Sequence, residues 1–142
     1  MLVRLLYASR ADGPVASSTL DSILAQCRQN NPALGVTGLL VVADDVFMQV
    51  LEGGREEVCE LYNQIVRDDR HKQVRVLTFE EITERKFGAW TMGQVQGGRI
   101  NRALILKYFK RPEIDPFDMS GGATMSLLLD LVATASIVSR PD

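Results

Sequence analysis

The stretch GVTGLLVVADDVFMQVLEGG, residues 35–54, decides the fold. Residues 36–42 are apolar and rich in β-formers, Asp44-Asp45 is a tight-turn candidate, and residues 46–51 resume the strand pattern, which predicts a β-hairpin. Towards the N-terminus, residues 2–8 form a short, nearly continuous apolar run closed by Ser-Arg-Ala-Asp-Gly-Pro, the pattern of a buried strand followed by a turn. Between that strand and the hairpin, Leu20, Ile23, Leu24 and Cys27 recur at helical spacing. They stand behind a Ser18/Asp21 pair that resembles a capping box, and Asn30-Asn31-Pro32 is expected to break the helix. Past Gly53-Gly54, an apolar stripe of Val58, Leu61, Tyr62 and Ile65 predicts a second helix running to Asp68-Asp69-Arg70, and residues 74–82 read as a fourth strand.

The order strand, helix, strand, strand, helix, strand predicts an α+β, ferredoxin-like βαββαβ sheet with both helices on one face, supplied by residues 1–82. Residues 90–96 are a possible fifth strand closed by Gly97-Gly98, and a mixed segment containing Arg111-Pro112 follows. In residues 123–139, Met125, Leu128, Leu129 and Val132 recur at helical spacing while Leu127 and Leu131 broaden the stripe. A helix this apolar must pack on something, and the sheet face left bare by the first two helices is the expected surface. The expected division is a ligand-binding domain over residues 1–97 and a helical extension over residues 98–142.

Composition narrows the function classes. The 142 residues carry 16 Lys+Arg against 18 Asp+Glu, a formal charge of −2 with 46% hydrophobic residues, which describes one ordinary soluble domain. Without a basic patch there is no electrostatic footprint for nucleic acid or for an anionic membrane, and neither partner is expected. The only cysteines, Cys27 and Cys59, and the only histidine, His71, do not assemble a metal-ligand pattern, so no metal is expected and the cysteines are assigned no chemistry. The N-terminal apolar run is interrupted too early by Arg4 and Arg10 for a secretory signal, which makes a cytoplasmic location the expectation.

One polar residue stands where a core should be. In a strand, Phe47, Gln49 and Leu51 share a face, as do Val3, Leu5 and Tyr7, so Gln49 interrupts an apolar surface. A buried, unpaired carboxamide costs about 1–3 kcal/mol, and the plain reading is that Gln49 bonds Tyr7 or a backbone group. The sharper reading is that several polar groups converge on one planar polar ligand.

Tyr7, the Asn30-Asn31 pair, Gln49 within VFMQVLEGG and Trp90-Thr91-Met92 occur together in stretches, LVRLLYASR, NNPALGVTGLLVV, VFMQVLEGG, VRDDRH and FGAWTMG, that resemble the BLUF family of flavin-using blue-light sensors. The likeness covers roughly residues 1 to 97. It implies a flavin, FAD before FMN, between the two helices. Asn31 would pair with the N3–C4=O edge, Gln49 would stand between Tyr7 and the N5–O4 edge, and Ile23 would pack on the ring. Asn30, Asp68, Arg70 and His71 match polar positions lining the family's pocket, and Trp90 and Met92 match residues that compete for proximity to the switch glutamine. Val50, directly after that glutamine, should face away from it.

The implied activity is photoreception without enzymatic turnover. Light would drive electron and proton transfer from Tyr7, Gln49 would rearrange its hydrogen bonds, and the absorption would shift to the red. The resemblance further implies a homo-oligomer that signals to a separate downstream effector protein through the C-terminal helices or the sheet face. Two rivals remain: a light-insensitive ligand-binding module, and a small acylphosphatase-type hydrolase, for which Arg10 is the lone phosphate-binding candidate. Colour separates them, since only the photoreceptor should be yellow and respond reversibly to light.

Overall fold

A computed structural model describes residues 1–96 and 100–134. The chain runs β1 (Leu2–Arg10), α1 (Ser17–Leu34), β2 (Thr37–Ala43), β3 (Val46–Gly54), α2 (Arg55–Arg67), β4 (Lys72–Ile82), β5 (Gly93–Gln96), α3 (Arg102–Tyr108), a 3-10 turn (Pro116–Asp118) and α4 (Gly121–Ala133). The strands make one five-stranded sheet in the order β4-β1-β3-β2-β5. β1 lies antiparallel to β3 and β4, and β2 and β3 are the expected hairpin. β5 joins β2 in parallel, so the sheet is mixed. This is the α+β ferredoxin-like arrangement with an added strand and C-terminal helices.

The alternation of side chains sorts the core into two layers. Val3, Leu5, Tyr7, Leu40, Phe47 and Leu51 face Leu20, Ile23 and Leu24 of α1 and Val58 of α2. On the opposite face, Leu6, Leu39, Val41, Met48 and Val50 meet Ile105 of α3 and Leu127, Leu128 and Leu131 of α4. Both faces of β1, β2 and β3 are therefore covered, which is why their sequences read as continuous apolar runs. Val50 indeed lies on the face opposite Gln49.

Several boundaries differ from the sequence expectation. α1 continues through Pro32 to Leu34 and ends at Gly35, whose φ of 68° is left-handed, while Val36 N–H donates to Asn31 O at 3.1 Å in a C-terminal capping pattern. Arg28 and Pro32 are both exposed, so the carbonyl that the proline leaves unpaired can be hydrated, and the break moves two residues downstream. The Ser18/Asp21 capping box is not made: the helix begins at Ser17 behind Ala16, with no side-chain cap. β5 begins only at Gly93, where pairing with Leu39 starts, and Trp90, Thr91 and Met92 precede it in irregular backbone. The closing Gly97-Gly98 turn and the end of the apolar stretch, residues 135–139, lie outside the described residues.

A buried ion pair fixes the segment that leads to the fifth strand. Glu52, fully buried on β3, accepts from Arg4 Nε at 2.7 Å and from the backbone N–H groups of Lys86 and Phe87 at 3.1 and 2.6 Å. Arg85 adds bonds to Thr37 Oγ1 at 2.9 Å and Gly35 O at 2.7 Å. Gly38 lets β2 lie close on β3, because a Cβ there would come within 2.0 Å of Val50 O.

Candidate functional site

Tyr7 on β1 is paired across the sheet with Gln49 on β3, so both side chains point to the α1/α2 layer at one level. The Tyr7 hydroxyl donates to Gln49 Oε1, and Gln49 Nε2 donates to Met92 Sδ at 3.3 Å. All three side chains are buried, with Gln49 only 3% exposed. The carboxamide is thus held at both ends by groups of unequal strength, since a thioether is a weak acceptor and a phenol a good donor.

Above Gln49, α1, α2 and the turn after α2 enclose a narrow slot with about 560 Å³ of empty space counted to its solvent mouth. Ile23, Asn30, Asn31, Asp68, Arg70 and His71 line it together with Gln49, and Leu34, Leu61 and Ile65 supply apolar wall. Apolar walls with a few convergent polar groups are the usual composition of a small-molecule site. Tyr7 stands beside Gln49 and does not itself line the slot; its phenol is linked to it through the amide.

Met92 and Trp90 separate clearly. Met92 is fully buried on Gln49, whereas Trp90 is half-buried with no bond to the amide, so the thioether holds the inward position. The Trp90 carbonyl instead accepts from Gly38 N–H at 3.2 Å.

The electrostatics keep the slot's protonation states fixed near neutral pH. Burial pushes the Tyr7 phenol well above its ordinary value, helped by Cys27, Asp68 and Tyr62, so it remains a hydrogen donor. Burial raises the Cys27 thiol to about 11, which keeps it uncharged. Arg70 holds the Asp68 carboxyl below its ordinary value through Nε contacts of 3.0 Å to both oxygens. The same guanidinium donates to Gln26 on α1 at 2.7 Å, joining the turn after α2 to α1 across the slot.

His71 is pushed down to about 4, chiefly by burial, with Arg70 adding to the fall and Asp68 opposing it. Since its folded value lies below the ordinary 6.5, its contribution to stability is present above that pH and is lost as pH falls towards about 4. The loss is of order 3 kcal/mol. Urea unfolding across that window should show it, with a smaller decrease in His71→Gln; equal losses in both proteins would refute the assignment.

The donor set can be tested against a flavin on one orphaned atom. Asn31 is 1% exposed and its Nδ2 reaches Thr91 O at 3.5 Å, but its Oδ1 is buried without a partner. An acceptor left open at the wall of an apolar slot calls for a ligand N–H. An imide edge, with N–H beside C=O, is such a group, so the residues fit.

Sequence reasoning named Asn30, Asn31, Gln49, Asp68, Arg70 and His71 of the slot's polar lining but not Gln26 or Gln64, and it missed the groups that support them. Ser9 bonds His71, and Gln26 bonds Arg70. Ser9 could have been found from period two, since it shares Tyr7's face. Cys27, on the apolar stripe of α1, packs half-buried against the α1/α2 layer and also lines the slot. Arg10, the candidate phosphate ligand of a hydrolase, lies 4.3 Å from the Phe117 ring centre and 3.7 Å from Asp45, away from the slot. Among the described residues there is no group of three or more His, Cys, Asp or Glu that could hold a metal, and no helix long and apolar enough to cross a membrane.

The family model described as "Sensors of blue-light using FAD" matches residues 2–93. The beta subunit of the photoactivated adenylate cyclase of Euglena longa is 34% identical over 92 residues, which are 64% of this chain and 11% of that protein. This chain therefore spans about a tenth of the length of such relatives. Among solved structures, the photo-activated state of BlsA superposes with a TM-score of 0.81 at 28% identity, covering 100% of this chain and 99% of that one. The dark-state structure of BlrB, a BLUF protein, gives 0.76 at 32% identity over 94% of this chain and 96% of that one.

Proposed function

Because this chain belongs to the BLUF family of blue-light sensors that use flavin, we propose that it holds FAD in the slot between α1 and α2 and signals through the hydrogen bonds of Gln49. The observation that carries this reading is the carboxamide clamped between the Tyr7 hydroxyl and Met92 Sδ at the slot floor. Asn31 would hold the imide edge through its open Oδ1, Ile23 would pack against the ring, and Asn30, Asp68, Arg70 and His71 would complete the binding wall. The flavin, when bound, supplies the absorption of blue light and a strongly oxidising excited state.

The chain's own part is a hydrogen-bond switch. Tyr7 would give an electron to the excited flavin and, through the Gln49 amide, its proton; both would return to Tyr7 once the amide has changed its tautomer or orientation. No bond is left broken. What remains is a rearranged amide, a difference of one hydrogen bond worth about 0.5–1.5 kcal/mol, which can only bias an element already poised between two arrangements. Met92 is the first such element, being bonded to Gln49 and leading directly into β5. β5 in turn buries Val95 in the layer that contains α3 and α4. The output is therefore proposed to pass through residues 98–142 to a separate downstream protein, with the chain acting as a homo-oligomer.

Absorption spectra test this directly. Protein loaded with FAD should be yellow, shift reversibly to the red under blue light and recover in the dark. A colourless protein, or a flavin spectrum that does not move, would remove the reading, and the mass of the released cofactor decides FAD against FMN.

A further inference from the structure

Ser9 is fully buried on β1, and its hydroxyl oxygen stands 2.8 Å from Nδ1 of His71. The pair can share a proton in two ways. If Nδ1–H donated to Oγ, the serine's own O–H would be left without an acceptor among the described residues. If Oγ–H donates to Nδ1, only acceptor lone pairs are left over, which is the less costly omission.

The imidazole has one proton to place, because burial keeps it neutral down to about pH 4. Phe47 lies against the ring at 4.6 Å between centroids, and Asp68 and Arg70 are the charged groups of the slot that act on it, in opposite senses. With Nδ1 committed to Ser9, Nε2 has no partner among the described residues, and the ring lines the slot.

We infer that Ser9 is a positioning residue that acts through His71: by donating to Nδ1 it fixes the Nε2–H tautomer and so presents a hydrogen-bond donor to the bound cofactor. The ligand atom served is an acceptor oxygen, of the ring carbonyl, sugar-alcohol or phosphate class. This rests on the slot being the flavin site. It also gives β1 two tasks on one face, since Tyr7 and Ser9 are separated by a single residue pointing the other way.

His71 is the only histidine, so protein labelled with ¹⁵N-histidine and loaded with FAD reports its two ring nitrogens without assignment. The wild type should show a protonated Nε2 and an unprotonated Nδ1 at neutral pH. Ser9→Ala, which removes one oxygen atom, should give a mixture of tautomers and weaken flavin retention about two- to tenfold. Its melting temperature, followed alongside, confirms that the variant is folded. A wild type with the proton on Nδ1, or a Ser9→Ala protein that keeps a pure Nε2–H form, would overturn the inference. A protein that takes up no flavin defeats the proposed function, whereas one that takes it up with the wrong tautomer defeats only the role of Ser9.

Discussion

Tyr7→Phe should remain yellow and lose its light response entirely. The phenyl ring fills the same buried space among α1 and α2, so the slot and its flavin contacts persist. What disappears is the one buried O–H aimed at Gln49 Oε1. Without it there is no phenolic proton to pass to the amide, and the red shift should fall to baseline in lit-minus-dark spectra. The same change leaves Oε1 without its donor, which should lower stability by about 1–3 kcal/mol in urea unfolding. A Tyr7→Phe protein with a normal reversible shift would exclude the phenol from the switch.

The largest stability effect is expected at Glu52. Its carboxylate accepts from Arg4 and from the N–H groups of Lys86 and Phe87, and Arg4 is itself only 5% exposed. Glu52→Ala leaves that guanidinium buried with Glu80, half-exposed, as its remaining partner at 2.9 Å. Removing one partner of a buried pair typically costs about 3–5 kcal/mol, a large share of the roughly 5–15 kcal/mol that holds a domain folded. Glu52→Gln, which can still accept from both N–H groups, should lose less than Ala. Denaturant melts of the two variants decide this, and a Glu52→Ala midpoint within error of wild type would show that the pair contributes nothing. Because Glu52 also anchors the segment before Trp90, the folded variant should be altered in how firmly Met92 sits on Gln49.

The hairpin, both helices of the α1/α2 layer and the fourth strand were readable from local pattern, because burial on a sheet face or a helix stripe imposes a period that survives in one dimension. The positions of Tyr7 and Gln49 on one face follow from the same period. The end of α1 was not readable. Proline at residue 32 is a local stop signal, and only the solvent around the last turn and the left-handed Gly35 show why the helix passes it.

At the site, sequence alone supplied the residue types and the odd carboxamide in an apolar face, since an unpaired amide is a cost that demands a partner wherever it lies. Tertiary structure decided which partner. Met92 rather than Trp90 reaches Gln49, because β5 starts only at Gly93 and the backbone before it is bent, so strand alternation gives no rule for which side chain turns inward. Ser9 on His71, Gln26 on Arg70 and Glu52 on Arg4 are joined across 62, 44 and 48 residues. Nothing in the spacing of a chain specifies such contacts. They exist because folding brings β1, α1, β3 and the turn after α2 together and leaves each buried polar group to be satisfied by whatever stands within reach.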